Sequence, residues 1–207
     1  MANNGKLFGQ NALVTGPSNP IGSAIAKLLV AEGCQLQMAD YSEQVLKNCF
    51  HKIKELYNTD IKIHQMDLSE PINIAVLALE CQDANIVINT LGATKKGSIN
   101  QLEHEDWKTS FELTLFAAIN LTGEVLDSFY EQESGIIINV GGVIDGVDVE
   151  NLCTVSVNAA LQAFSESLDK KTRSDGIRVL CFLPQANISP EKNATVLNHL
   201  ILEKLSP

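Results

Sequence analysis

The sequence predicts an α/β fold, a doubly wound parallel sheet of about six strands, in one domain spanning residues 1–207. Short apolar runs recur along the chain without polar alternation, as strands covered on both faces require. A stretch long enough for a crossover helix follows each run, and parallel neighbours need such connections. The first run also meets a Gly-Pro turn that leads directly into an amphipathic segment.

Asn11 to Thr15 is the first strand, and Ile21, Ile25, Leu28 and Leu29 mark the apolar face of a helix ending near Gly33. Gln35 to Ala39 forms a second strand ending at Asp40. Glu43 to Leu56 is a helix, and Ile61 to Met66 a third strand ending at Asp67. Pro71 to Glu80 is helical, Asn85 to Asn89 is a fully buried strand, Glu103 to Tyr130 is one long helix and Gly135 to Val140 another buried strand. Thr154 to Lys171 is again helical. The last strand, Ile177 to Leu183, stops at Pro184, and a final helix runs from Asn193 to Leu205.

A net charge of -10 and a pI near 4.8, with no cluster of Lys and Arg, argue against a nucleic-acid partner. No run approaches the roughly 18 apolar residues of a membrane span, and Met1 to Gln10 hold no apolar leader core, so a cytoplasmic location without membrane contact is expected. The cysteines, Cys34, Cys49, Cys81, Cys153 and Cys181, and the histidines, His51, His64, His104 and His199, fall at wide and irregular intervals. Their spacing gives neither a disulfide framework nor a metal site.

The turn after the first strand reads Thr15-Gly16-Pro17-Ser18-Asn19-Pro20-Ile21-Gly22. Glycines in such a turn let the backbone approach a pyrophosphate, whose charge is held by amides at the helix N-terminus. Pro20 has no amide hydrogen to give, although Asn19 as N-cap and a proline in the first turn start the helix well. Asp40 stands where a carboxylate either accepts from ribose hydroxyls or caps the next helix. Asp67-Leu68 closes the third strand and Asn89-Thr90-Leu91-Gly92 the fourth.

In this order, with Trp107 in the long helix and Pro184 after the last strand, these segments resemble the short-chain dehydrogenase/reductase family over nearly the whole chain. The turn is similar to that family's T-G-x-x-x-G-x-G, with Pro20 replacing the middle glycine. The resemblance implies a Rossmann-type sheet. It also implies that Gly16, Ile21, Gly22, Asp40, Asp67, Asn89 and Gly92 are vestigial cofactor-binding positions, Asp40 favouring NAD over NADP.

The family's chemistry uses a Tyr as acid or base, a Lys that lowers its pKa, an orienting Ser and an Asn. The stretch Thr154-Val155-Ser156-Val157-Asn158-Ala159-Ala160-Leu161 resembles Y-x-x-x-K-x-A-L, which puts Thr154 at the Tyr position and Asn158 at the Lys position. Gly142 stands in place of the Ser. Thr114, seven residues after Trp107, stands in place of the Asn. A threonine hydroxyl ionises far above neutrality, and no Lys is beside this one to lower it. No catalytic residue is therefore expected, and cofactor binding by this chain is expected to be absent or weak. Only Gln185 to Lys192 stands where active relatives carry a substrate lid, and the chain stops before the family's final strand.

These replacements imply a non-catalytic subunit that pairs with an active homologue through helices 109–126 and 154–168. The pair would form an NAD-dependent hydroxyacyl(-CoA) dehydrogenase or ketoreductase in which the partner carries NAD. The arrangement is similar to two-subunit dehydrogenases of acyl-CoA pathways, the hydroxybenzylsuccinyl-CoA dehydrogenases among them, in which one of two related subunits is degenerate. Ser156, Ala159, Ala160 and Ala163 either admit a partner helix or pack on the chain's own sheet. Two further readings stand beside this one: a homodimeric nucleotide-binding sensor without turnover, and an enzyme using Asp145 and Thr154 in the old pocket.

Overall fold

A computed structural model of the chain describes residues 5–57, 59–143 and 150–205; Asp145 lies outside them. Six strands, β1 (Asn11–Thr15), β2 (Gln35–Asp40), β3 (Ile61–Gln65), β4 (Ile86–Asn89), β5 (Gly135–Val140) and β6 (Ile177–Phe182), form one sheet. The helices between and after them are α1 (Pro20–Ala31), α2 (Glu43–Lys54), α3 (Pro71–Glu80), α4 (His104–Phe111), α5 (Ala117–Gln132), α6 (Leu152–Thr172) and α7 (Pro190–Leu205). Every pairing is parallel, in the order β3-β2-β1-β4-β5-β6. The winding reverses between β1 and β4, and in such sheets a crevice opens beyond the carboxyl ends of the strands at that point.

The apolar runs are buried for the reason the sequence suggested. β4 and β5 are buried at every residue because helices cover both faces. On one side α1, α2 and α7 bury Ile25, Leu29, Leu46, Ile53, Leu197 and Ile201 against the sheet. On the other, Leu77 of α3 and Leu121 and Phe129 of α5 pack under the sheet, while Val157 and Leu161 of α6 meet Leu115 and Ala118. Each such side chain withdrawn from water contributes about 1.5–3 kcal/mol. Edge strand β3 is largely exposed, so its polar residues are tolerated. Among the described residues no helix is long and apolar enough to cross a membrane.

Most element ends fall within one or two residues of expectation, and the larger differences lie in three helices. The helix expected as one piece from Glu103 to Tyr130 is interrupted by a π turn, Glu112–Phe116, between α4 and α5, and continues to Gln132. Such turns break the 3.6-residue period by one position, a local event that an averaged apolar pattern does not register. α6 starts at Leu152. α7 begins at Pro190, earlier than Asn193, because proline fits a first helical turn and the Ser189 hydroxyl accepts from the Lys192 amide.

Candidate functional site

The crevice begins at the turn between β1 and α1. Gly16 has φ +70°, and a Cβ on it would stand 3.0 Å from the backbone of Thr90 and Leu91, so both conformation and space require glycine. A Cβ on Gly22 would come within 2.4 Å of Thr90 Oγ1. That hydroxyl lies 2.6 Å from the Thr15 carbonyl and 2.9 Å from that of Gly16, which accept from it and tie the turn to the end of β4.

Three of the turn's amides are already engaged within the protein. Asn19 Oδ1 accepts from the Ile21 amide at 2.9 Å, capping α1, with Pro20 in the first turn as the sequence indicated. The Ser18 amide donates to Asp40 Oδ2 at 3.1 Å, and the Asn19 amide donates to the Gly16 carbonyl at 3.0 Å. The second Asp40 oxygen accepts from the Ser42 amide at 3.2 Å, and Ser42 Oγ caps α2 by accepting from the Val45 amide. Asp40 is 0% exposed. Asp40 thus braces the turn and the start of α2. Ile21 is a core residue of the α1 face.

Beyond the turn a cleft of about 290 Å³ is lined by Gly16, Ser18, Tyr41, Asp67, Leu68 and Gly92, among others. Tyr41, 70% exposed, holds the wall position that Asp40 was expected to reach. Asp67 Oδ1 accepts from the Ser69 amide at 2.9 Å and its hydroxyl at 2.7 Å, and these two bonds hold the carboxyl below the usual carboxylate range. Asn89 sits beneath the cleft. Register aligns Thr15, Asn89 and Asn139 across β1, β4 and β5. Thr15 Oγ1 donates to Asn89 Oδ1, Asn89 Nδ2 to Asn139 Oδ1 at 2.8 Å, Asn139 Nδ2 to Ser165 Oγ at 3.1 Å, and Ser165 Oγ to the Leu161 carbonyl at 2.8 Å. This buried polar row joins three strands to α6.

A smaller recess of about 150 Å³ continues from the cleft, lined by Gly92, Thr94, Thr114, Gly142 and Val143. The π turn carries Thr114 into its wall, 2% exposed, with Oγ1 lacking a hydrogen-bond partner. Gly142 lines the recess. Thr154 and Asn158 lie behind it, each 3% exposed. Asn158 Oδ1 accepts from the Gly142 amide and Asn158 Nδ2 donates to the Gly142 carbonyl, both at 2.9 Å, so both ends of the side-chain amide are bonded to one residue. A Cβ on Gly142 would stand 2.6 Å from Thr154 Cγ2. The four catalytic positions therefore do meet around one recess, but three of them are locked against each other. Their side chains supply no carboxyl, imidazole, phenol or amine to move a proton.

The pyrophosphate of a nicotinamide dinucleotide needs free amides in the turn. Here Pro20 has none and those of Ser18 and Ile21 are engaged, so a pyrophosphate would meet no free donor at these three positions. Tyr41 and the π turn escaped the sequence reading. Tyr41 follows the strand-closing Asp40 directly, and that adjacency was the available signal.

Comparison with known proteins places this architecture. The sequence profile described as short chain dehydrogenase matches residues 10–195. A 3-oxoacyl-[acyl-carrier-protein] reductase of Chlamydia muridarum is 24% identical over 186 residues, 87% of this chain and 75% of that protein. Nodulation protein G of Rhizobium meliloti is 28% identical over 207 residues, 97% of this chain and 81% of its own length. Among solved structures, a metagenomic short-chain oxidoreductase in complex with NADP superposes with a TM-score of 0.83 at 22% identity, covering 97% of this chain and 95% of that one. A short chain dehydrogenase from Mycobacterium smegmatis gives a TM-score of 0.87 at 19% identity, covering 97% and 88%. By sequence and by fold, the chain belongs to the short chain dehydrogenase family.

Proposed function

We propose that this chain is a non-catalytic member of its family that pairs with an active homologue, the partner supplying NAD and the Tyr-Lys chemistry of an NAD-dependent hydroxyacyl(-CoA) dehydrogenase or ketoreductase. The observation that carries the reading is the Asn158 clamp on Gly142, backed by the Thr154 methyl. A site awaiting a substrate would leave such groups directed at the recess. The similarity to a 3-oxoacyl-[acyl-carrier-protein] reductase supports a ketoreductase-type reaction for the pair.

The pairing surface in this reading is the outer side of α4 to α6. Ala159 and Ala163, one helical turn apart, are exposed on α6, whereas Val157 and Leu161 take the sheet-facing side. On α5 and the preceding π turn Phe116 is 49% exposed, and a Cβ on Gly123 would meet nothing within 4 Å. A flat, small-residue surface with one aromatic anchor suits close helix packing. The alternative, a homodimeric nucleotide sensor, draws on the open cleft beside Tyr41 and Asp67.

Purification of the chain alone and together with an intact homologue from its own genome tests the reading. The expected result is no saturable NAD heat in calorimetry and no ketone reduction by the isolated chain, with a heteromer whose activity requires both proteins. Nicotinamide-dependent turnover by the isolated chain overturns it, and NAD binding to a homodimer without turnover supports the sensor instead.

A further inference from the structure

Strand β3 ends the sheet on one side, and β2 is its one neighbour among the described strands. Along a strand, the N–H and C=O of one residue point to the same side and those of the next residue to the other. The Met66 amide donates to the Asp40 carbonyl, so Lys62 and His64, which share its side, also face β2. Ile61, Ile63 and Gln65 therefore turn their N–H and C=O groups outward. None of these groups has a hydrogen-bond partner among the described residues.

Neither a bulge nor a proline protects this edge. Its register with β2 runs unbroken from Ile61 to Gln65, and no proline lies within it. Lys62, Ile63 and Gln65 are exposed, the apolar Ile63 by 39%. A regular edge with unspent donors and acceptors is a template for another strand.

We infer that the strand it takes is β3 of a second copy, running antiparallel about a two-fold axis through Ile63. That register sets Ile63 opposite Ile63 and Ile61 opposite Gln65. Each such pair exchanges two backbone bonds, so every outward group of both edges is met. The contact is self-complementary, as a closed two-fold pair requires. Charge agrees with the direction. Lys62 falls opposite His64 of the second copy, whose Nδ1 lies 2.8 Å from the half-exposed carboxylate of its own Glu80. Each copy thus brings an ammonium group to the other's acid, and the two isoleucines cover each other at the axis. One sheet then runs through both copies. β3 is at the opposite edge from β6, against which α6 packs, so the surface proposed for an active homologue stays free.

Analytical ultracentrifugation of the full-length chain alone, from micromolar to near-millimolar concentration, tests this. A reversible dimer of the 22.5 kDa chain is expected. Ile63→Lys, which sets two ammonium groups face to face at an exposed position, should weaken it about tenfold, while Phe116→Glu on the α5 side should leave it unchanged. In the wild-type protein the Ile61, Ile63 and Gln65 amides should gain protection from hydrogen exchange as the dimer forms. Ile63→Cys should yield a disulfide dimer with oxidised glutathione, because opposite residues of such a pair have Cα atoms about 5.5 Å apart. Ile61→Cys should not, since its two copies stand about 14 Å apart, four residues of strand rise. A chain that stays monomeric throughout, a dimer lost in Phe116→Glu but kept in Ile63→Lys, or equal cross-linking of the two cysteine variants overturns the inference.

Discussion

Replacing Gly142 with serine, the residue its family position calls for, tests the interlocked state of the recess most directly. The added Cβ would stand 2.6 Å from Thr154 Cγ2, below the 3.0 Å that real Cβ atoms keep; Thr154 is buried and Gly142 partly so. Overpacking of this kind costs about 1–3 kcal/mol. In a chain of this size the thermal midpoint falls about 2–4 °C for each kcal/mol. The remedy is local. Thr154→Ser removes the offending methyl, at about 0.8 kcal/mol on its own from lost apolar burial. In the double variant the clash is gone, so the two changes couple favourably by about 1–2 kcal/mol. Urea denaturation of the four proteins, followed by far-ultraviolet circular dichroism, closes the cycle. Additivity within about 0.5 kcal/mol, or a Gly142→Ser protein as stable as the parent, would refute the packing argument.

Other consequences follow from the same contacts. Asn158→Ala strips both polar groups of Gly142 of their partners and should destabilise the chain by about 2–5 kcal/mol, whereas a loss under 1 kcal/mol in the same denaturation assay would mean water replaces the amide. Asn89→Leu should cost about 1–3 kcal/mol, because Asn139 Oδ1 loses its donor inside the sheet; a thermal melt reads this. Burial would raise the Asp169 carboxyl, but two bonds from Arg178 at 2.8 and 3.1 Å and the Val179 amide at 3.0 Å outweigh it and hold it low. A lowered carboxyl stabilises the fold above its unfolded pKa of about 3.9 and loses that contribution as pH falls through the native value. Wild type should therefore lose its stability advantage over Asp169→Asn in urea titrations carried from pH 7 to pH 3, and a constant difference would refute the assignment.

The strands were legible because their apolar runs are complete: β1 and β5 begin and end where the residues changed character. The Pro20 start of α1 was legible too, since Asn19 and proline each favour that position for a local reason. Asp40 was not resolved by sequence, because a carboxylate after a strand serves a ribose or a neighbouring amide equally well and only tertiary position decides. Asn89 likewise gave no sign that it would bond to Asn139, 50 residues away, a matter of strand register. The four degenerate catalytic positions could be located from motif spacing. Their mutual contacts, Asn158 onto Gly142 and Thr154 against it, depend on α6 packing beneath the end of β5.

The turn at the head of α1 has a consequence for assembly. A nucleotide fold with unclaimed amides there is incompletely ordered until phosphate arrives, and ligand free energy then becomes folding free energy. This chain meets those amides with Asn19 and Asp40, so the crest of its sheet is set in shape as soon as the backbone closes. Under the proposed reading its tolerance of heat and denaturant is therefore the same with and without added NAD, which a pair of thermal melts checks.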